Sequence, residues 1–247
     1  DGEAAGDQSG FLVALSSDGT RVAIGALLND GNGSSAGHVR VYEYSGGGWA
    51  QLGTDIDGEA ANDQSGFSVS LSSDGTRVAI GASGNDGNGN NSGHVRVYDW
   101  NGSAWTKLGA DIDGEDAGDR SGVWVSLSSD GTRVAIGANL NASNGNNSGH
   151  VRVYDYNGNA WTQVGGDIDG EAAGDQSGFS VALSNDGKRV AIGAYTNNDN
   201  GNNAGQVRVY RFASASSAAT PVPTLPLFGL SILVSLLGIF GLRKLRQ

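Results

Sequence analysis

The stretch that decides the fold is residues 57–112, which read DGEAANDQSGFSVSLSSDGTRVAIGASGNDGNGNNSGHVRVYDWNGSAWTKLGADI. Two landmarks of this stretch recur along the chain with a constant step of 56 residues. The tripeptide Asp-Gly-Glu begins at Asp1, Asp57, Asp113 and Asp169. The pair Asp-Gly begins at Asp18, Asp74, Asp130 and Asp186. The chain therefore contains three full copies of one unit and a fourth copy that stops early.

One copy predicts four antiparallel strands joined by tight turns. In residues 67–72, large apolar side chains alternate with serine, which is the period-2 pattern of a half-buried strand. The pairs Asp74-Gly75 and Asn101-Gly102 favour hairpin turns, because these residues tolerate the positive φ that such turns require. The loop over residues 83–93 is too rich in Asn, Gly and Ser to be buried. The predicted strands are 67–72, 77–82, 94–100 and 104–108.

Composition and repeat together predict an all-β protein, a β-propeller of four-stranded antiparallel blades. The 247 residues include 42 Gly and no Cys, which argues against a helical bundle and excludes disulfides. A single four-stranded sheet cannot cover its own apolar face, so the copies must pack on one another. Bulky Val78 and Ile80 lie on one predicted face, and small Ala79 and Gly81 on the other, which suits such packing. Radial packing gives a propeller, and a linear β-solenoid is the alternative.

The copies also resemble a known family of repeats. The segments SGFSVSL (65–71) and VAIGA (78–82) are similar to the FG-GAP repeat, the blade unit of integrin-α-type propellers. The resemblance covers residues 1–212 and recurs four times. Ser65 stands in place of the Phe of the Phe-Gly pair, and Ser83 in place of the Pro of Gly-Ala-Pro. The family often holds calcium in the hairpin between the first two strands. Here that hairpin has a single carboxylate, so this calcium site is not expected.

The repeat and the resemblance divide the chain into three regions. Residues 1–212 are predicted to be propeller blades, residues 213–221 a flexible linker, and residues 222–247 a C-terminal sorting segment. The first copy begins with its inner strand and the fourth lacks an outermost strand. We expect further blades upstream of Asp1, because an open row of sheets would expose apolar faces; imperfect closure by four blades is the alternative. The predicted blades are 1–56, 57–112, 113–168 and 169–212.

The C-terminal segment predicts a transmembrane helix. Residues 225–242 contain no charge and, as a helix, would measure about 27 Å, close to the roughly 30 Å of a bilayer core. The basic cluster of Arg243, Lys244 and Arg246 is expected on the cytoplasmic side, which leaves the blades outside. A buried core helix is the alternative interpretation.

The same segment resembles the C-terminal sorting signals of Gram-negative bacteria, the IPTL-CTERM and PEP-CTERM class. Val222, Pro223, Thr224 and Leu225 match the signature Ile-Pro-Thr-Leu with one conservative change. The resemblance implies recognition by an exosortase-type enzyme, removal of the tail and passage to the cell surface. No secretory signal peptide is found at Asp1, so we expect the sequence to be incomplete at its N-terminus.

Acidic side chains gather in the loop that leads into each copy, predicted as residues 55–63 before the second copy and here called the leading loop. They predict a calcium site. Carboxylates at alternate positions of an oxygen-rich loop suit a hard cation such as Ca²⁺. In an up-and-down blade this loop and the loop between the second and third strands share one rim. Alternatively, the acids cap backbone N–H groups and pair with strand arginines such as Arg77 and Arg96. The predicted ligands are Asp55, Asp57, Glu59 and Asp63, with the equivalents Asp111, Asp113, Glu115, Asp119, Asp167, Asp169, Glu171 and Asp175.

No catalytic constellation is predicted. Three histidines occupy the same position in three copies, whereas a catalytic base belongs to one unique constellation, so a structural or surface role is favoured. These residues are His38, His94 and His150, and the fourth copy has Gln206 in their place. Three aromatic residues depart from the repeat and are interpreted as local packing substitutions, with ligand anchoring as the alternative. They are Trp100, Trp124 and Tyr195.

The charge of the chain narrows the class of partner. The net charge is −11, and the segment after Phe212 contributes three basic residues and no acid, so residues 1–212 carry −14. Such an acidic surface repels phosphate backbones, which argues against nucleic acid. We therefore expect an exported, cell-surface, non-enzymatic binding or adhesion module, with Ca²⁺ as candidate cofactor and a glycan or a surface protein as ligand. The alternatives are an accessory propeller of an enzyme whose catalytic domain lies upstream, and a structural surface-layer component.

Overall fold

Antiparallel β-strands make up the regular structure of residues 1–212, which are the residues that the computed structural model describes. The predicted linker, sorting motif and transmembrane helix lie outside the described residues. Within residues 1–212, no helix is long and apolar enough to cross a membrane. The described residues form four consecutive sheets, one for each copy of the repeat, so the prediction of an all-β fold with antiparallel four-stranded sheets is confirmed.

The sheets repeat one order of strands. The first sheet contains β1 (Val13–Leu15), β2 (Arg21–Ala26), β3 (His38–Ser45), β4 (Gly48–Gln51) and β5 (Ile56–Asp57). The second contains β6 (Ser65–Leu71), β7 (Arg77–Ala82), β8 (His94–Trp100), β9 (Trp105–Lys107) and β10 (Ile112–Asp113). The third contains β11 (Trp124–Leu127), β12 (Arg133–Ala138), β13 (His150–Tyr156), β14 (Trp161–Gln163) and β15 (Ile168–Asp169). The fourth contains, among the described residues, β16 (Ser180–Leu183), β17 (Arg189–Ala194) and β18 (Gln206–Arg211).

The first strand of the second sheet departs from its predicted form, whereas β7 and β8 have the predicted bounds. β6 begins at Ser65 and is interrupted by a β-bulge between Ser65 and Ser68. Gly66, inside the bulge, has a φ of +86°, in the left-handed region that favours glycine. The bulge brings its backbone close to His38 of the first sheet, where a Cβ on Gly66 would lie 2.6 Å from the His38 carbonyl oxygen.

The outer strand of each complete sheet is split in two. In the second sheet β9 pairs with the end of β8 and β10 pairs with its beginning, so both pieces occupy the outer position. In the first sheet Ile56 pairs with Val39 and is 5% exposed. The prediction of a leading loop over residues 55–63 is therefore wrong for Ile56 and Asp57. A single isoleucine between two acids is too short a signal for a strand, but its burial in the core fixes it in the sheet.

The sheets pack face to face, and the face that carries Ala23 and Gly25 of one second strand meets the face of the following sheet that carries Val78 and Ile80. On the second sheet, Gly81 lies so close to the third sheet that a Cβ atom would overlap the carbonyl oxygen of Gly122. Ser68 Oγ donates a hydrogen bond of 2.7 Å to the same oxygen. The predicted packing of large residues against small ones is confirmed for the second strands, whereas the third strand adds Val39 and Val41 to the face that carries Ala23. The core between the first two sheets consists of Ala23, Val39, Val41, Ile56, Val69, Val78 and Ile80.

The connections lie at the two ends of the sheets. The loop rim consists of the leading loops, such as residues 58–64, and the loops between second and third strands, such as residues 83–93. The hairpin rim consists of turns such as residues 72–76 and residues 101–104.

Hydrogen bonds tie the loops of each rim together. On the hairpin rim, Ser17 N donates to Ser73 O and Ser73 N donates to Ser129 O, both at 2.8 Å. On the loop rim, Asn85 Nδ2 donates to Asp63 Oδ2 at 3.2 Å. The predicted placement of the two oxygen-rich loops of one copy beside each other is thereby confirmed.

The first and fourth sheets each leave an apolar face exposed. Val13 and Leu15 of β1 are 57% and 61% exposed, whereas Val69, the equivalent of Val13 in β6, is 4% exposed. Val207 and Val209 of β18 are 70% and 64% exposed. A closed ring of four sheets would cover both faces, so residues 1–212 form an open arc.

The close contact between Gly81 and Gly122 predicts a loss of stability on substitution. Gly81→Ala should lower the free energy of unfolding by at least about 2 kcal/mol, because the added methyl group forces two sheets apart. Urea unfolding of the full chain, followed by tryptophan fluorescence, measures the change. Gly48→Ala is the matched control, since an added Cβ there meets no heavy atom of the described chain within 4 Å. Equal losses in the two variants would contradict the packing argument.

The hairpin rim predicts a pH dependence of stability. Ser16 Oγ, Thr20 N and Thr20 Oγ1 donate hydrogen bonds to Asp18 Oδ1, and these bonds lower the pKa of Asp18 to about 2. An unfolded Asp has a pKa of about 3.9. The stabilisation is therefore complete above about pH 4 and is lost as the pH falls through about 2.

Carbon-13 NMR titration of the carboxyl groups measures this pKa directly. Asp18→Asn keeps an acceptor oxygen, so the variant should stay folded at neutral pH and lose less stability between about pH 4 and 2. An Asp18 carboxyl that titrates near 4 in the folded protein would be the opposing result.

Candidate functional site

The predicted calcium ligands of the second copy are directed to different places in the structure. Asp55 Oδ1 accepts a hydrogen bond of 3.0 Å from Arg40 Nε in the first sheet. Glu59 Oε1 lies 3.4 Å from Arg96 Nη1 in the second sheet. Asp63 is buried at the end of the leading loop, with 3% of its surface exposed. Calcium binding by this set stays a prediction, and it would require the side chains to leave these partners.

Asp63 acts as a cap inside the leading loop. Its Oδ2 atom accepts hydrogen bonds from Ala60 N (2.9 Å), Glu59 N (3.2 Å) and Asn85 Nδ2 (3.2 Å). The interpretation that the acids cap turn N–H groups is confirmed for this position. The equivalent pairs of aspartate and asparagine make the same side-chain contact: Asp7–Asn29, Asp119–Asn141 and Asp175–Asn197.

The second aspartate of each predicted set contacts the following sheet through its backbone carbonyl group. Asp57, Asp113 and Asp169 lie in the short outer strands β5, β10 and β15. Their carbonyl oxygens accept hydrogen bonds of 2.6–2.7 Å from an arginine of the following sheet. These arginines are Arg96, Arg152 and Arg208.

The structure gathers the remaining predicted acids around the histidines. Each gathering contains a glutamate from a leading loop, a histidine at the start of a third strand and an aspartate just before an outer strand. One ligand atom of each member lies within 4.8 Å of the others. We call these the Glu–His–Asp clusters. They are Glu3–His38–Asp55, Glu59–His94–Asp111 and Glu115–His150–Asp167.

The fourth copy replaces the histidine of the cluster with an amide. Gln206 Nε2 donates a hydrogen bond of 2.8 Å to Glu171 Oε2. Arg208 Nη1 lies 3.6 Å from Glu171 Oε1, so this glutamate keeps the arginine partner seen in the other copies.

The histidines are the buried members of the clusters. His94 and His150 are 1% and 0% exposed. Burial, assisted by the positive charge of Arg96, lowers the pKa of His94 to about 4. Burial and Arg152 also lower the pKa of His150. Both imidazole rings are therefore neutral at pH 7.

Several ring nitrogens lack hydrogen bonds. Nε2 of His94 and both nitrogens of His150 have no hydrogen-bond partner among residues 1–212. The Nδ1 atoms face the glutamates, at 4.0 Å from Glu59 Oε2 and 3.8 Å from Glu115 Oε2. These separations are too long for a hydrogen bond.

The three clusters differ in the groups that contact their carboxylates. In the first cluster, Arg40 contacts both carboxylates. In the second, Lys107 Nζ lies 2.8 Å from Asp111 Oδ1. In the third, the neutral amide of Gln163 donates a hydrogen bond of 2.6 Å to Asp167. The aspartate of the third cluster is thus bonded by a neutral group rather than by a cation.

Sequence reasoning assigned His94 and His150 to a structural or surface role and did not join them to the acids. A signal was present, since Glu59, His94 and Asp111 recur with the same spacings in the following copy. Their convergence depends on the pairing of β10 with the start of β8, which places Asp111 beside His94.

The aromatic residues that depart from the repeat pack against neighbouring side chains. The ring centroids of Trp100 and Trp105 lie 5.4 Å apart, and those of Phe179 and Tyr195 lie 4.4 Å apart. Trp124 packs against the core between the third and fourth sheets. These contacts support the interpretation of local packing substitutions.

Comparison with protein families finds the FG-GAP repeat. The family model matches residues 54–98 and residues 168–210. Each segment runs from the short outer strand through the leading loop to the third strand of the next sheet. Two of the four copies thus match the FG-GAP repeat. None of the curated proteins matches the sequence.

Two solved structures share the fold. Hydrazine synthase of Kuenenia stuttgartiensis matches with a TM-score of 0.52 and 15% identity, over 85% of this chain and 49% of that one. The periplasmic gluconolactonase of Pseudomonas aeruginosa matches with a TM-score of 0.51 and 15% identity, over 83% of this chain and 58% of that one. The chain spans about half the length of these proteins. At this identity the likeness shows a β-propeller-like fold alone.

The buried cap of the leading loop predicts a stability change. Asp63→Ala should lower the free energy of unfolding by about 1–3 kcal/mol, because three N–H donors lose their acceptor. Asp116→Ala is the matched control, since the other copies have Ala4, Ala60 and Ala172 at this position. Urea unfolding of both variants measures the difference. Unchanged stability in Asp63→Ala would show that the loop does not depend on this cap.

Proposed function

We propose that the protein is an exported, cell-surface, non-enzymatic binding or adhesion module whose loop rim contacts the ligand. The observation that carries the proposal is the repetition of exposed polar side chains along this rim. Asn90 and Asn146 are equivalent and exposed, as are Asp30 and Asp86. Equivalent groups at regular intervals suit a ligand with repeated groups, such as a glycan or an extended surface protein, because several weak contacts then add.

The loops of the rim are held in place by hydrogen bonds. Asp86 Oδ1 accepts from Asn91 N at 2.7 Å, which closes the loop between β7 and β8. Asn88 Nδ2 donates to Gly114 O at 2.8 Å, which ties this loop to the leading loop of the next copy. A rim with fixed loops loses less conformational freedom when it binds, and this supports a role in recognition.

Charge supports the choice of partner and cofactor. Residues 1–212 carry a net charge of −14, so nucleic acid is not a proposed partner. Calcium is the proposed cofactor of adhesion, because carboxylate and amide oxygens on the rim are the ligands that a hard cation prefers.

The proposed location rests on the C-terminal sequence, which lies outside the described residues. Residues 222–225 resemble the IPTL signature, and the apolar stretch 225–242 precedes a basic cluster. These features support tethering in the inner membrane of a Gram-negative bacterium, with the blades outside. Processing by an exosortase-type enzyme would then pass the protein to the cell surface.

The fold does not by itself favour binding or catalysis. The solved structures that share it include a hydrazine synthase and a gluconolactonase. Propeller-like folds serve many unrelated functions, so the argument rests on the rim of this chain.

A charge-matched pair of variants tests the proposed surface. The full chain, with Ca²⁺ present, is applied to a glycan array and to fixed bacterial cells. Asn90→Lys with Asn146→Lys adds two positive charges to the loop rim, and binding should fall at least about tenfold because the fixed charges disturb the acidic surface.

The control adds the same charge to the opposite rim. Ser103→Lys with Asn159→Lys changes two exposed, equivalent positions on the hairpin rim, and binding should stay at the level of the unmodified chain. Failure of the unmodified chain to bind either target, or equal losses in the two double variants, would contradict the proposal.

A further inference from the structure

A buried imidazole without partners stands out in the third sheet. His150 is fully buried, and neither of its ring nitrogens has a hydrogen-bond partner among the described residues. A neutral imidazole has one donor and one acceptor, and leaving both unsatisfied inside a protein costs free energy. Its Nδ1 atom faces Glu115 Oε2 at 3.8 Å. The separation is too long for a hydrogen bond and short enough for two ligands of one ion.

The three ligand atoms of the third cluster fit a small divalent ion. They lie within 4.8 Å of one another. Tetrahedral Zn²⁺ with bonds of about 2.0–2.2 Å holds its ligand atoms about 3.3–3.5 Å apart, so small rotations of the two carboxylates would complete the geometry. An imidazole nitrogen favours zinc, cobalt or nickel over calcium. We propose that Glu115, His150 and Asp167 bind a divalent transition-metal ion, with Zn²⁺ as the best-fitting member.

Burial and charge suit this ion. His150 lies on the protein side of the cluster, whereas the carboxylates of Glu115 and Asp167 face solvent, so the ion reaches the site from outside. Arg152 Nη1 lies 3.5 Å from Glu115 Oε1 and offsets one carboxylate charge. The two carboxylates and one guanidinium leave a net charge of −1 around a neutral imidazole, which favours a cation. Three protein ligands leave a fourth position for water or for an oxygen of a ligand.

We expect weaker metal binding at the equivalent positions of the other copies than at the third cluster. In the second cluster Lys107 forms an ion pair with Asp111, and in the first Arg40 contacts both carboxylates, so an ion must displace these cations. In the fourth copy Gln206 replaces the histidine. This inference goes beyond the proposed function, because metal binding is measured without the adhesion ligand.

Titration with the metal alone tests the site. The full chain, purified without a polyhistidine tag and treated with EDTA, is titrated with Co²⁺ and Zn²⁺, and visible absorption and calorimetry follow binding. We expect one site of highest affinity, with a Co²⁺ spectrum that reports nitrogen and oxygen ligands and a rise in melting temperature.

Substitutions taken from the protein's own repeats assign the site. His150→Gln should weaken the tightest site at least about tenfold and remain folded, since the fourth copy has glutamine here. Glu115→Gln should weaken it as well, which gives a second variant. His38→Gln, the same change in the first copy, should leave the tightest site unchanged. Lys107→Gln, which copies Gln163 of the third sheet, should raise the affinity of the second cluster.

Several results would overturn the inference. The first is the lack of a Co²⁺ spectrum in the full chain at millimolar metal. The second is unchanged affinity in both His150→Gln and Glu115→Gln. The third is displacement of Co²⁺ by an equal concentration of Ca²⁺, which would indicate an oxygen-only site.

Discussion

The structure depends on one close approach of backbones between successive sheets. Gly25, Gly81 and Gly137 each lie where an added Cβ would overlap a carbonyl oxygen of the following sheet. The glycines that supply those oxygens, such as Gly66, sit in a positive-φ conformation at the start of the next copy. Because interiors are packed as densely as organic crystals, this spacing sets the distance at which Val and Ile fill the space between sheets. The recurring glycine is thus as much a part of the core as the recurring valine.

The same packing places the polar groups. An outer strand in two pieces brings an aspartate to the first residue of a third strand, and the leading loop brings a glutamate to the same point. Meanwhile the last aspartate of the loop turns inward and caps N–H groups, so acids that are neighbours in sequence have different partners. Arginines of one sheet donate to carbonyl oxygens of the preceding outer strand, which fixes the loop rim between successive sheets. The three side chains of each cluster therefore come from one copy, and contacts with the preceding sheet hold the loop that carries the glutamate.

Much of the fold follows from the sequence, because its signals are local and repeated. The alternation of residues 67–72, the Asp-Gly turns and the 56-residue step predicted the strands and their order. The split outer strand was missed, since Ile56 stands alone between two acids and gains its place only from burial against the core. The acids were predicted as one set per loop because alternate residues were expected to point the same way. The path of the loop separates them, and that path depends on contacts with Asn85 and with the next sheet. The repeat also gave no reason to join the histidines to the acids, because their proximity depends on the pairing of β10 with the start of β8.

The equivalence of the junctions between sheets has a consequence for evolution. Each junction inside the arc uses equivalent residues, so a repeat added or deleted by recombination meets neighbours whose shape is unchanged. Insertion or deletion of one whole unit would therefore leave the remaining junctions with the same contacts and would change only the number of equivalent loops on the rim.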